Sequence, residues 1–191
     1  EITNFSSNKR RSEKKIFLSA GSLYNDLEYL FIPFLKFIKK KEEEDEYFSK
    51  KFCFKFFGEI DSIYLTLLKD SNVQSISFNR FISRQELSKQ YDSADFFVMF
   101  TVSDHAFNFN TKFYEYLAYK KPIVHFSNDG AVTKFLESHQ LGLGIKPNSF
   151  NEDMIRLFNF VDENFNYNNA FDTSQFSIGK LIEKIEQLLI V

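Results

Sequence analysis

The feature that most constrains the fold of this chain is a regular alternation between short apolar runs and segments with helical spacing. The apolar runs are Ile16–Ala20, Phe52–Phe57, Val73–Phe78, Phe96–Phe100, Pro122–Phe126 and Leu143–Ile145. Phe96–Phe100 is apolar at every position, which is typical of a central strand in a parallel sheet. The alternation predicts an α/β fold with right-handed crossovers and helices on both faces of the sheet.

Between these runs, apolar residues recur with the spacing of amphipathic helices. The predicted helices cover residues 26–40, 60–69, 83–91, 111–119, 131–138, 152–160 and 178–189. Ser83 and Glu86 have the spacing of a capping box, so one helix should begin at Ser83. The acidic run Glu42–Glu46 is interpreted as a solvated turn or helix end. The pattern as a whole predicts a Rossmann-like, doubly wound parallel sheet of about six strands.

The composition argues against several other classes of protein. The chain has 191 residues and 43% of them are hydrophobic, which is enough for one domain with a substantial core. A net charge of -2 argues against a uniformly basic nucleic-acid binder. No segment approaches the roughly 20 apolar residues of a membrane-spanning helix. The single cysteine, Cys53, is expected to be a small buried hydrophobe.

The start of the chain is polar and basic, and it lacks the apolar stretch of a signal peptide. Residues 1–14 are interpreted as a linker or boundary segment, and residues 15–191 as one domain. The expected location is the cytoplasm, with a peripheral position at the inner membrane face as an extension of this prediction. There the lysines at positions 36 and 39–41 would contact anionic lipid, although a solvated helix end is the simpler explanation.

Several catalytic and cofactor motifs are absent from the sequence. It contains no Walker phosphate loop and no G-x-G-x-x-G after the first strand, and Gly142-Leu143-Gly144 is interpreted as a helix stop and strand start. His105, His125 and His139 lack the spacing of metal ligands, so no metal site is predicted. His125, inside a predicted strand, is expected to be a satisfied core or rim histidine. The run Ser103-Asp104-His105 lacks a nucleophile elbow, so hydrolase chemistry is not favoured.

The stretch from Tyr91 to Ile145 resembles a known family. Its motifs are the strand entry Ala94-Asp95, the helix Lys112-Phe113-Tyr114-Glu115-Tyr116-Leu117-Ala118, the strand Lys121-Pro122-Ile123-Val124, and Gly130 before the next helix. In this order and spacing they resemble the C-terminal, nucleotide-sugar-binding domain of GT-B glycosyltransferases, especially the bacterial capsule and surface-polysaccharide enzymes. The resemblance covers about residues 15–145.

This resemblance implies a hexosyltransferase-like enzyme half that binds a nucleotide-diphosphate sugar as donor substrate and needs no other cofactor. Its partner would be an N-terminal acceptor domain. Without that domain, the chain is expected not to transfer sugar to a polysaccharide or lipid-linked acceptor. Three alternatives stay open: a non-catalytic nucleotide-sugar sensor or scaffold, one half of a nucleotide-sugar epimerase, and an α/β interaction module without a ligand.

Ligands of open parallel sheets bind beyond the carboxyl ends of the strands, which selects the candidate site residues. Thr111 and Lys112 open the helix after the fourth strand and are candidates for contact with a pyrophosphate. The resemblance implies that Glu115 accepts hydrogen bonds from the ribose hydroxyls, whereas a surface ion pair between Lys112 and Glu115 is the alternative. Gly21 and Ser22, after the first strand, are candidates for close backbone approach to the distal phosphate or the sugar.

Two further groups of candidates complete the expected site. Arg80–Ile82, which includes Phe81, lies where the family holds the nucleotide base. His105 is the candidate for contact with the sugar, with Asn108 and Asn110 as alternatives.

The sequence departs from the family at two positions. Phe107 stands where many members have the first of two glutamates eight positions apart, and Ser22 stands where many have an arginine. No catalytic residue is therefore assigned. The sugar, the base and the acceptor are not specified by the sequence.

Overall fold

The computed structural model describes residues 14–102, 105, 108–162, 167–176 and 180. Six strands form one sheet in which every neighbouring pair is parallel. They are β1 (Lys15–Ala20), β2 (Phe52–Phe57), β3 (Ile76–Asn79), β4 (Phe96–Phe100), β5 (Ile123–Phe126) and β6 (Gly142–Ile145). The predicted α/β, Rossmann-like sheet of six strands is confirmed.

Helices connect these strands and cover the sheet. They are α1 (Glu28–Glu44), α2 (Phe48–Lys51), α3 (Ser62–Ser71), α4 (Arg84–Ser93), α5 (Thr111–Ala118), α6 (Ala131–Ser138) and α7 (Phe150–Asp162). The predicted helix 178–189 lies outside the described residues except for position 180. In the part of the chain that the structure describes, no helix is long and apolar enough to cross a membrane.

The strand order across the sheet is β3-β2-β1-β4-β5-β6. The chain therefore builds outward from β1 to β3, returns to the middle, and builds outward again from β4 to β6. The connections on either side of the β1–β4 boundary leave in opposite directions. In open parallel sheets this arrangement makes a crevice at the carboxyl ends of the two central strands.

Aromatic side chains dominate the core on both faces of the sheet. On one face, Phe17 stacks on Phe54 and on Phe96, with ring centroids 4.7 Å apart in both pairs. On the other face, Phe97 stacks on Tyr116 at 4.4 Å. Buried aromatic pairs of this kind are worth about 0.5–1.5 kcal/mol beyond the area that they bury. The sheet is thus held between two apolar layers, and its carboxyl edge is left for polar groups.

Two local predictions about helix ends hold, and two about β3 and Cys53 need correction. The capping box is present, because Ser83 Oγ accepts the Glu86 amide at 3.2 Å and the Glu86 carboxylate accepts the Ser83 amide at 3.0 Å. The prediction that residues 42–46 form a solvated turn or helix end is confirmed, because α1 ends at Glu44. The short helix α2, anchored by buried Phe48, was not predicted.

The third strand begins at Ile76 rather than at the predicted Val73. The reason is a side chain from α1: the Glu42 carboxylate accepts the amides of Gln74 and Ser75, the latter at 2.7 Å. The Ser75 amide, which faces β2, is therefore not free to extend the strand, although the Ser75 carbonyl still accepts the Phe54 amide at 2.7 Å. Cys53 is partly rather than fully buried, because it alternates with Phe52 and Phe54, which face the core.

The outer strand β6 is braced by charged side chains. Its glycines allow tight packing, since a Cβ on Gly142 would overlap the Ile123 carbonyl and one on Gly144 would overlap a methyl of Thr133. The interpretation of Gly142-Leu143-Gly144 as a strand start is confirmed. The Gly144 amide donates to Glu137 at 3.1 Å, and its carbonyl accepts from Arg156 at 3.1 Å. These bonds occupy backbone groups that an edge strand otherwise exposes.

Candidate functional site

β1 and β4 separate towards their carboxyl ends. Their register pairs Phe17 with Phe96 and Leu18 with Phe97 and goes no further. By contrast, β1 pairs with β2 as far as Ala20. The separation leaves a cavity of about 170 Å³ at the switch point of the sheet. Its lining includes Gly21, Ser22, Asn110, Lys112 and Tyr116.

The loop after β1 is fixed by backbone hydrogen bonds to the loop after β2. Gly21 has a φ of 147°, and its amide donates to the Phe57 carbonyl at 2.8 Å. The Leu23 amide donates to Glu59, also at 2.8 Å. Within the described residues, the Ser22 amide between them makes no hydrogen bond. Of the two residues predicted here, Ser22 therefore supplies the available donor, and Gly21 supplies the backbone conformation.

The first turn of α5 faces the same cavity. Asn110 caps the helix, because its side-chain oxygen accepts the Phe113 amide at 2.9 Å. The amides of Thr111 and Lys112 have no hydrogen-bond partner in the described part of the chain. Free amides and the positive end of the helix dipole make such a turn favourable for an anion. Thr111 itself is exposed at the start of the helix and does not line the cavity.

Lys112 and Glu115 are bonded to each other. The Lys112 Nζ to Glu115 Oε2 distance is 2.8 Å, and the two side chains are 36% and 35% exposed. The ion pair given above as the alternative interpretation is therefore present. Lys112 also lies beside the loop after β1, since its Cε is 4.0 Å from where a Gly21 Cβ would stand. Glu115 is one turn further along α5 and is not among the residues that line the cavity.

A second cavity, of about 330 Å³, adjoins the first and shares Ser22 and Asn110 with it. Its polar lining also includes His105, Asn108 and Asp26, and His105 Nδ1 lies 3.1 Å from Asn108 Nδ2. All three residues named as candidates for contact with a sugar therefore surround one space.

A third cavity, of about 750 Å³, lies at the carboxyl ends of β2 and β3. Phe81, which is 71% exposed, and Arg80 line it together with Gly58. Ile82 does not line it, because its side chain packs against the core on the α4 and α5 side of the sheet. The structure thus separates Phe81 from Ile82, although they are adjacent in sequence.

Gly58 connects this third cavity to the switch point. Its φ is 139°, and a Cβ there would overlap the carbonyl of Gly21. Only a glycine lets the two loops approach so closely. Gly58 was not predicted as a site residue, and its position directly after the predicted strand Phe52–Phe57 was the available signal.

Tyr116 is the second residue that the sequence analysis missed. Its hydroxyl accepts the Ala20 amide at 2.7 Å and donates to the Ala20 carbonyl at 3.2 Å. Burial raises the pKa of Tyr116, so the hydroxyl stays protonated. Tyr116 was visible as part of the helix motif, but nothing in the sequence indicates a contact with a residue 96 positions away.

The predicted core role of His125 is confirmed. It is fully buried, and its ring nitrogens lie 3.0 Å from the hydroxyls of Thr133 and Thr101. Burial lowers the pKa of His125 to about 3, so the ring is neutral. Among the described residues, no group of three or more histidine, cysteine, aspartate or glutamate side chains is arranged to hold a metal ion.

No protein-family model and no curated protein matches this chain. Solved structures do match it. A mutant of S. aureus TarM, in complex with fondaparinux, α-GlcNAc-glycerol and UDP, has 15% identity and a TM-score of 0.64; the match covers 98% of this chain and 38% of that one. The C-terminal domain of LpcC, a group 1 glycosyl transferase from Francisella tularensis, has 16% identity and a TM-score of 0.59, over 87% of this chain and 90% of that one.

A UDP-GlcNAc 2-epimerase from Methanocaldococcus jannaschii also matches, with 14% identity and a TM-score of 0.55, over 93% of this chain and 46% of that one. The chain therefore spans less than half of TarM and of the epimerase, but nearly all of the isolated LpcC domain. Identities this low establish the fold and leave the activity to other arguments. The chain has the Rossmann-like fold of a GT-B glycosyltransferase domain.

Proposed function

We propose that this chain is the donor-binding half of a glycosyltransferase and holds a nucleotide-diphosphate sugar along the carboxyl edge of its sheet. One observation carries the proposal: the Ser22 amide, the first-turn amides of α5 and the Lys112 ammonium converge where β1 and β4 separate. Backbone donors, a helix N-terminus and one cation are the groups that bind a pyrophosphate.

The cavities on either side of this point suggest how the rest of the ligand lies. The large cavity beside Arg80 and Phe81 is open enough for a base, and the exposed Phe81 ring offers a surface for stacking. The cavity beside His105 and Asn108 has the hydroxyl-binding groups that a sugar needs. The ligand would then run from β3 across Gly58 and Gly21 towards the loop after β4.

In this arrangement Glu115 binds the ribose. It lies one turn after Lys112 on α5, and its bond to the Lys112 ammonium orients the carboxylate. An ionised carboxylate can accept two hydroxyl hydrogen bonds, as a ribose requires. Lys112 then serves both the pyrophosphate and the carboxylate.

Calorimetric titration with UDP, GDP and ADP tests the proposal. We expect one of the three to bind, and we expect Lys112→Met to weaken that binding by about tenfold, which corresponds to about 1.4 kcal/mol. Lys134→Met is the matched control. Lys134 is an exposed lysine on α6 that pairs with Asp129, and it lines none of the cavities described above. Absence of binding by all three nucleotides would overturn the proposal.

The acceptor and the second wall of the active site would belong to an N-terminal domain, and the resemblance favours a polysaccharide or lipid-linked acceptor. Transfer requires groups from both walls to be held in register around the sugar. We therefore expect no sugar transfer when this chain alone is incubated with a radiolabelled donor and acceptor. Robust transfer by the chain alone would show that one wall is sufficient.

A nucleotide-sugar sensor or scaffold is the second candidate function. The observation in its favour is Phe107, which stands where many of the resembled enzymes have a glutamate that contacts the sugar. A sensor would bind the donor as tightly as an enzyme half but stay inactive when its natural N-terminal region is supplied. An epimerase half would instead convert UDP-GlcNAc under those conditions, which product analysis distinguishes from transfer.

We also propose that the lysine-rich face of α1 contacts anionic lipid. A groove of about 480 Å³ between α1 and α7 is lined by Lys36, Phe37, Lys40 and Ile155, the last of which is 52% exposed. Apolar side chains bordered by lysines suit the surface of an anionic bilayer. Flotation with phosphatidylglycerol vesicles should recover the protein at low salt but not at high salt. Equal recovery with neutral phosphatidylcholine vesicles would contradict an electrostatic contact.

A further inference from the structure

The hydroxyl of Tyr116 replaces part of the hydrogen-bond ladder at the centre of the sheet. In a parallel pair, the amide and carbonyl of one residue face the same neighbouring strand, and successive residues alternate. The Gly21 amide bonds to β2, so those of Ala20 face the β4 side. β1 has stopped pairing with β4 at Leu18. At Ala20, both backbone groups bond to the phenol of Tyr116 instead.

One hydroxyl can serve both backbone groups because it has one proton to donate and two lone pairs that accept. The Tyr116 ring is also fixed from two sides. It stacks on Phe97 with a centroid distance of 4.4 Å and an angle of 4°, and it meets the edge of Tyr91 at 5.8 Å and 90°. With 1% of the residue exposed, the phenol has no room to swing away. Its position is therefore set by the packing of α5 on the sheet.

Tyr116 lies one turn after Lys112, so the two side chains project from the same face of α5. Tyr116 holds Ala20, and the next two residues of the chain are Gly21 and Ser22. Lys112 reaches the same loop, with its Cε 4.0 Å from a Cβ built on Gly21. The bonds of Gly21 and Leu23 fix this loop relative to β2, and the two bonds between Tyr116 and Ala20 fix it relative to α5. The spacing between the Ser22 amide and the Lys112 ammonium therefore depends on the bonds of Tyr116.

We infer that Tyr116 is a positioning residue for the diphosphate of the ligand. It ties the carboxyl end of β1 to α5 while that end stays apart from β4, and so it fixes Ser22 and Lys112 at the separation that a pyrophosphate bridges. Tyr116 itself makes no contact with the ligand. The inference rests on the proposed function for the identity of the ligand, but the geometric role can be measured without any ligand.

The variant Tyr116→Phe tests the role because it keeps the ring stacking and removes only the two bonds to Ala20. We expect it to bind the best nucleoside diphosphate about tenfold more weakly, while the affinity for the corresponding nucleoside stays within twofold. A variant that merely loosened the fold would weaken both. The matched control is Tyr167→Phe, since the buried Tyr167 hydroxyl has no hydrogen-bond partner among the described residues and Tyr167 lines none of the three cavities at the site. Its affinities should stay native.

Hydrogen exchange of the unliganded 191-residue chain separates this inference from the proposed function. In Tyr116→Phe the Ala20 amide should exchange at least tenfold faster than in the native chain, while amides in β2 and β5 should not change. Native-like protection of the Ala20 amide in this variant would overturn the positioning role, whether or not a nucleotide binds. If exchange accelerates but diphosphate and nucleoside lose affinity equally, the bonds stabilise the strand without positioning the phosphate site, which also overturns the inference.

Discussion

Two pairs of neighbouring strands, β1 with β4 and β5 with β6, differ in how far their backbones pair. Between β1 and β4, two residue pairs are formed and the strands then separate. Between β5 and β6, four pairs are formed over the full length of both strands. At the first boundary, a side-chain hydroxyl and a cavity take the place of backbone pairing. At the second, Gly142 and Gly144 remove side chains so that neighbouring groups can touch backbone.

A pair of parallel strands can therefore form either a polar cavity or a tightly closed boundary. Glycine has a different role at each of these two boundaries. Gly21 has a positive φ, and a Cβ there would meet only Lys112 Cε at 4.0 Å, so this glycine is needed for the conformation of the loop. Gly142 has no space for a Cβ, so it serves contact between strands. We call the β1–β4 boundary the open boundary and the β5–β6 boundary the closed boundary.

Substitution of these two glycines by alanine should give the largest difference between the boundaries. Gly142→Ala forces a Cβ into the Ile123 carbonyl, and backbone can yield only if the strands move apart. We expect a loss of about 3 kcal/mol in the free energy of unfolding. For Gly21→Ala the cost is backbone strain alone, about 1–2 kcal/mol. Urea denaturation measures both, and an equal or larger loss for Gly21→Ala would break the comparison.

The free energy of unfolding should also depend on pH, through His125 at the closed boundary. Its pKa is about 3 in the folded chain against an ordinary value of 6.5, so below pH 6.5 only the unfolded chain binds the proton. Stability contributed by the neutral ring is complete above pH 6.5 and falls as the pH decreases towards 3. From pH 7.5 to pH 5 the loss should be about 2 kcal/mol.

The measurement for His125 is urea denaturation at pH 7.5 and at pH 5. The variant His125→Gln should lose this part of the pH dependence, whatever its stability at pH 7.5. His139→Gln is the control and should keep it, because His139 is only partly buried at the end of α6. An unchanged pH dependence in His125→Gln would mean that other groups cause the acid sensitivity.

At the open boundary, substitution of Glu115 should lower the affinity for the nucleotide and have little effect on the free energy of unfolding. Glu115→Gln keeps the shape but removes the charge and one acceptor, so nucleotide binding should weaken by about tenfold, or about 1.4 kcal/mol. A 2′,3′-dideoxy nucleotide should bind the native chain poorly and lose little more on mutation, because its partner hydroxyls are already gone. Calorimetry on these four combinations gives the coupling energy. Undiminished binding of the diphosphate by folded Glu115→Gln would make Glu115 an ion-pair residue only.

The smallest expected effect concerns the brace on β6. Arg156 lies 3.1 Å from both Glu137 Oε1 and Asp153 Oδ1, with half of its side chain exposed. Because solvent screens such pairs, Arg156→Met should cost about 1 kcal/mol. The control Arg84→Met removes an exposed arginine for which no ion pair is present among the described residues, and it should change stability by less than about 0.5 kcal/mol. A thermal-unfolding shift no larger than that of Arg84→Met would show that the closed boundary holds without its brace.

Most of the fold was predictable because hydrophobic periodicity is a local property. The bounds of β2, β4 and α6 follow directly from the sequence. The start of β3 does not, because it depends on Glu42, a side chain more than thirty positions away that uses the backbone groups of Gln74 and Ser75. A local sequence pattern contains no information about a side chain on another helix that bonds to these backbone groups.

The general place of the site was predictable for a topological reason, since all carboxyl ends of a parallel sheet share one edge. That argument brought Ser22, Lys112 and His105 to the edge, and the structure finds all three there. It could not separate Phe81 from Ile82, because neighbouring side chains in an extended segment point in different directions. Nor could it find the bond from Tyr116 to Ala20, which depends on how α5 packs.

The short pairing between β1 and β4 also has a consequence for the order of folding. Each half of the sheet is built from strands that follow one another directly along the chain, so its contacts close short loops. The boundary between the halves joins residues about eighty positions apart, and closing such a loop costs more entropy. With only two residue pairs to offset that cost, the halves should form before they join. The crevice between β1 and β4 would then be the last part of the molecule to take shape.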